Sequence, residues 1–107
     1  MAKYLIYGSY TEDGLRGLLE EGGSSRKTAT EQLMESVGGT LEAYYFAFGD
    51  NDFYLIADLP DNVSATAVSL VGNASGMIMA RAVVLLEPEE VDEAVTRTVD
   101  YRFPGEK

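Results

Sequence analysis

The sequence predicts an α+β domain built on one antiparallel sheet with helices on a single face, and three observations point to it. Thr40 to Leu59, TLEAYYFAFGDNDFYLIADL, holds two runs rich in aromatic and apolar residues joined by Gly49-Asp50-Asn51-Asp52, the residue types of a turn, and so reads as a β-hairpin. Two stretches with helical spacing of apolar residues flank that hairpin. A further apolar strand-like run lies beyond each of them, giving the order β, α, β, β, α, β.

Lys3 to Tyr10 is short, aromatic and β-branched, and its alternation sets Tyr4, Ile6, Gly8 and Tyr10 against Leu5, Tyr7 and Ser9. Thr11 is placed to cap a helix bearing Leu15, Leu18 and Leu19, with Glu12 and Asp13 in the first turn where the helix dipole favours them. Gly22-Gly23-Ser24-Ser25 interrupts this helix, which resumes from Arg26 to Val37 on a stripe of Ala29, Leu33 and Val37 and ends at Gly38-Gly39. In the hairpin, Phe48 is expected opposite Phe53. Glu42, Tyr44, Phe46 and Leu55 then turn to the helices, and Leu41, Tyr45, Tyr54, Ile56 and Asp58 turn away.

Pro60-Asp61-Asn62 closes the hairpin and opens a second helix whose apolar face is expected to be Val63, Ala67, Leu70, Val71 and Ala74. Met77 to Leu86 is the last strand, apolar except for Arg81. Pro88 starts a short acidic helix to about Thr96, followed by an extended tail. With short right-handed connections this order gives a ferredoxin-like βαββαβ sandwich, a four-stranded antiparallel sheet in a single domain spanning residues 1–107, with its core over about 3–90 and a C-terminal helix and tail over 88–107.

Composition excludes several functions. The 107 residues, 46% hydrophobic and 24% charged, describe one globular domain. Eighteen acidic against eight basic residues give a net charge of −10, which repels nucleic acid and anionic lipid. No cysteine and no histidine are present, which removes thiolate chemistry, the commonest general base and the usual transition-metal ligands. No metal site and no cofactor is expected. No run approaches the ~20 apolar residues of a membrane span, and the protein is read as cytoplasmic.

At Thr11-Glu12-Asp13-Gly14, Arg26, Gly38-Gly39, Gly49-Asp50-Asn51-Asp52 and Pro60-Asp61, over roughly residues 3–90, the chain resembles the GYD domain family. It departs from that pattern at Asn51, where the family's name-giving tyrosine stands, and in the last strand at Met79 and Ala82. The resemblance implies membership of the dimeric α/β-barrel group, in which cofactor-free oxygenases, haem-binding enzymes, isomerases and ligand-sensing domains occur.

The candidate site falls on the sheet face turned from the helices. Asp58 shares that face with Tyr45 and Tyr54, and a carboxylate within a strand needs a donor or water. Arg81 is the expected partner, and Tyr7 and Ser9 belong to the same side. Two readings follow. In one, these six residues line a pocket for a small-molecule ligand, used for binding or sensing; in the other, a cofactor-independent monooxygenase or isomerase acts there on a small aromatic or polyketide-like substrate. Gly22 to Lys27 suggests a hinge or lid ahead of an anion cradle, because it lacks Walker spacing. Leu5, Tyr7, Leu41, Tyr45, Tyr54, Ile56, Met79 and Val83 on one face form a larger apolar patch than monomers usually expose, so a homodimer through the sheet faces is expected.

Overall fold

The structure is a computed structural model and describes residues 1–106. It runs β1 (Ala2–Tyr10), α1 (Glu12–Ser36), β2 (Thr40–Phe46), β3 (Phe53–Leu59), α2 (Asn62–Ala74), β4 (Ile78–Leu85) and α3 (Pro88–Ala94). The strands form one antiparallel sheet in the order β2-β3-β1-β4, with α1 over β2 and β1 and α2 over β4 and β3, a ferredoxin-like arrangement. No described helix is long and apolar enough to cross a membrane.

Alternation along the two central strands builds the core. Tyr4, Ile6 and Tyr10 of β1 and Phe53, Leu55, Ala57 and Leu59 of β3 are all buried beneath the helices, where Met34 of α1 and Ala65 and Val68 of α2 meet them. The connections are held by side chains and close backbone contacts. Thr11 caps α1 through Gly14 N–H while its hydroxyl donates to the Gly76 carbonyl, and its own N–H donates to the Met77 carbonyl. A Cβ on Gly14 would lie 2.0 Å from the Met77 oxygen, so only glycine lets α1 start this close to β4. Asp61 caps α2 by accepting from Ser64 N–H, a backbone hydrogen bond that lowers its carboxyl pKa. Asn73 donates to the Ala80 carbonyl and accepts from the Ala80 N–H, which satisfies part of the outer edge of β4.

The hairpin register differs from the expected one. Phe46, not Phe48, pairs with Phe53, and Phe48 is fully exposed in a wider loop. The shift is two residues, which leaves Tyr44, Phe46 and Leu55 on the helix side as expected. Asp52 fixes the loop: its N–H donates to the Gly8 carbonyl, its carbonyl accepts from Ala47, and its carboxylate accepts from Tyr10 N–H. An irregularity between Leu41 and Ala43 then exchanges the faces at the start of β2. Leu41, opposite Ala57, packs on the core, and Glu42 lies on the open face beside Lys3; both were expected on the reverse sides.

The helices also bury different faces from those expected. On α2, Val63, Ala67, Leu70, Val71 and Ala74 are exposed, and Ala65 and Val68 are buried. This helix is apolar nearly all round, so spacing alone admits more than one buried face. The smaller side chains win because they bring it close to β4, where Gly72 approaches Ile78. On α1, Leu15 and Leu19 are exposed and Thr30 and Met34 are buried, while Leu18, Leu33 and Val37 pack half-buried on the core as expected. The helix is interrupted at the start of the glycine-serine stretch, as expected: Gly22 leaves helical geometry, with φ at +81°, and α1 is two helical halves joined at this kink.

Residues 86–106 are exposed throughout and project from the body as an arm. The radius of gyration is 17.3 Å, against about 13 Å for a compact chain of this length. Within the arm, Glu87 and Glu90 form a capping box and Tyr101 meets Phe103 edge to face.

The observed register has a measurable consequence. Phe53→Ala, at 3% exposure, lowers unfolding stability by about 3–5 kcal/mol. Phe46→Ala, at 40% exposure, costs clearly less, and Phe48→Ala leaves the urea midpoint unchanged. A large loss at Phe48 would restore the expected pairing.

Candidate functional site

Four of the six residues singled out by sequence lie in one line across the open face: Tyr45 opposite Tyr54, Tyr54 opposite Tyr7, and Tyr7 opposite Arg81. The Tyr7 and Tyr54 rings stack with centroids 6.2 Å apart. Asn51 donates to the Tyr54 hydroxyl at 3.2 Å, so the residue that departs from the family motif supports this row. Ser9 lies next to the row and donates to the Asp50 carbonyl at 3.3 Å. Asp58 sits at the far end of the face, and its partner is not Arg81 but Lys3, directly opposite it, at 3.2 Å. Lys3 also pairs with Glu42 at 2.7 Å. Strand order explains the correction, because β1 lies between β3 and β4 and its lysine reaches Asp58 first.

A cavity of about 410 Å³ lies on the opposite side, between the sheet and the two helices. Its walls are mainly apolar, with Leu18, Leu33, Phe53, Val68 and Ile78 among them. Gly14, Gly17 and Gly72 also line it: Gly17 leaves open space, since a Cβ there meets nothing within 4 Å, whereas Gly14 and Gly72 let the Met77 carbonyl and the Ile78 side chain approach closely. Polar groups among the lining residues come from β1, β2, the two halves of α1 and, at Ser69 and Ser75, from α2 and its C-cap. The Tyr10 and Tyr44 hydroxyls are 2.8 Å apart, and burial is the main reason that both phenols ionise above their ordinary pKa. Arg26 and Glu21 are near enough to act electrostatically on both phenols.

Arg26 is the unusual member of this group. Its Nε lies 3.4 Å from Glu21 Oε1, outside hydrogen-bond geometry, and is buried without a hydrogen-bond acceptor. Several other positions that carry the family resemblance have structural tasks. Thr11 and Gly14 seat α1, Asp52 fixes the hairpin loop, and Asp61 caps α2. A Cβ on Gly39 would meet the Asp58 carbonyl at 2.4 Å. Arg26 makes no comparable hydrogen bond among the described residues, and it lines the cavity within electrostatic reach of Tyr10 and Tyr44.

Sequence reasoning placed Tyr10 on the helix-facing side of β1 and Tyr44 on that of β2 but did not join them. The available signal was that two tyrosines on a buried face must each find a partner for a hydroxyl. In sequence Arg26 stands out as the residue that reopens α1 after the glycine-serine break, as a position of the family resemblance and as part of the Gly22 to Lys27 stretch, with nothing to join it to the two tyrosines.

The GYD domain family model matches residues 4–95. A search of curated proteins finds no match.

The buried hydroxyl pair is accessible to titration. Tyr10 and Tyr44 are expected to ionise above the ordinary phenol range in an ultraviolet alkaline titration, since burial disfavours the phenolate. Tyr44→Phe removes one late-ionising group. A titration in which the late fraction survives both Tyr44→Phe and Tyr10→Phe places the buried phenols elsewhere.

Proposed function

The chain belongs to the GYD domain family, and we propose that it is a small-molecule-binding protein that takes its ligand between the helices and the sheet and works as a homodimer. The cavity carries the first part: about 410 Å³ of mainly apolar space with a few convergent polar groups has the size and make-up of a ligand site. The open-face row serves the second part. Tyr45, Tyr54, Met79 and Val83 are exposed together there, and Leu5, Tyr7 and Ile56 are only half-buried. A second copy brings the same face by twofold symmetry. The arm, with Val91, Val95, Val99, Tyr101 and Phe103 exposed, then lies along the partner.

Each part has its own test. Gly17 lines the cavity, and a Cβ there meets nothing within 4 Å, so Gly17→Leu fills space without a clash at its first atom. Apolar compounds that raise the melting temperature of the parent are expected to leave this variant unchanged; equal shifts in both would move the ligand out of the cavity. In sedimentation equilibrium the parent is expected at twice the 11.6 kDa chain mass, and Val83→Glu at the chain mass itself. A monomeric parent with no affinity for apolar dyes would remove the dimer.

A further inference from the structure

Resting on the reading that the helix-side cavity holds a ligand, we propose that this ligand is an uncharged ring compound whose carbonyl oxygen accepts hydrogen bonds from Arg26 Nε and from the Tyr10–Tyr44 hydroxyl pair. The reason lies in which hydrogen-bonding capacity the cavity leaves unused. Two hydroxyls 2.8 Å apart share one hydrogen bond, so one of the two hydrogens stays free to donate. Arg26 Nε–H is a second donor, buried and without an acceptor. Thr30, also lining the cavity, already donates to the Arg26 carbonyl at 2.9 Å. Both of these donors stand unfilled in a mainly apolar space, and a buried donor left unsatisfied costs more than a hydrogen bond ordinarily gains. A ligand oxygen with two lone pairs answers both.

Charge decides between a carbonyl and a carboxylate. Arg26 already has a carboxylate beside it in Glu21, so the polar groups are balanced before any ligand enters. A second anion would have to displace Glu21 and enter a protein of net charge −10. A neutral oxygen needs neither step. The remaining walls, Leu18, Leu33, Phe53, Val68 and Ile78, ask only for an apolar body.

Three probes of one shape separate these possibilities: 1-acetonaphthone, 1-ethylnaphthalene and 1-naphthoate, titrated into the full chain by calorimetry. The ketone is expected to bind at least about tenfold more tightly than the hydrocarbon, the ratio one hydrogen bond from a charged donor provides, and more tightly than the anion. Arg26→Met keeps an apolar stem and removes the charged donor, and is expected to cut the ketone's advantage to the few-fold that the remaining neutral hydroxyl donor provides, while leaving the hydrocarbon within about twofold. Infrared spectra of carbonyl-labelled ketone on the parent protein give a readout independent of whether that variant folds. The carbonyl stretch is expected below its value in an apolar solvent, and an unshifted stretch overturns the proposal. Equal affinity for ketone and hydrocarbon overturns the oxygen contact and leaves the cavity as a binding site. Tightest binding of the naphthoate overturns the uncharged ligand. No binding of any probe removes both the proposal and the cavity reading on which it rests.

Discussion

Two helices can cover only one face of a four-stranded sheet, and in this chain both faces carry apolar side chains. Most of the structure follows from that mismatch. On the helix side, β1 and β3 supply Tyr4, Ile6, Phe53, Leu55, Ala57 and Leu59 to a core closed by Met34, Ala65 and Val68. On the open side, Leu5, Tyr7, Tyr54 and Ile56 remain only partly covered by one another. Stacking of Tyr7 on Tyr54 and the Lys3 bridge to Asp58 and Glu42 temper that exposure without ending it. The exposed ion pairs contribute little stability of their own. Their main effect is to fix side-chain positions at one end of the face.

The strand order and the faces of β1, β3 and β4 were legible because alternation has a period of two and a register error of two residues leaves it intact. Thus Phe46 faces the helices in both the expected and the observed pairing, although its partner changes from Leu55 to Phe53. What alternation cannot register is one extra residue. The irregularity between Leu41 and Ala43 inverts the beginning of β2, and no glycine or proline marks it in the sequence. The helix faces were obscure for another reason: α2 offers apolar residues on nearly every side, and its docking is decided by which side allows the closest approach to β4.

The cavity was missed because it is made by what is absent. Gly17, on the cavity wall, has no side chain to fill the space between helices and sheet, and a single glycine inside a helix leaves no pattern that alternation or helical spacing can register. Only the polar residues beside that gap left a trace. Tyr10 and Tyr44 fall on the buried parity of their strands, and a phenol there implies a hydroxyl to be satisfied. That implication was readable, but the pairing of the two needs the observed register, which brings Tyr44 opposite Leu55 and Tyr10 beside Phe53.

The kink at Gly22 joins these features. A straight helix from Glu12 to Ser36 would run about 37 Å at 1.5 Å per residue, longer than the strands it covers. Bending at a residue with φ of +81° lets the first half start against the Met77 carbonyl, just ahead of β4, through Gly14 and the second half lie over β2, where Gly23 approaches the Phe46 ring. Glu21 and Arg26 flank the bend on either side, and both line the cavity. The residue that redirects the helix thus also sets the spacing of the carboxylate and the guanidinium. An alanine at Gly22 would have to adopt a left-handed backbone or straighten the bend, and straightening would carry Arg26 away from the two tyrosines. The glycine that reads as a break in the sequence is therefore what gathers the polar groups of the cavity.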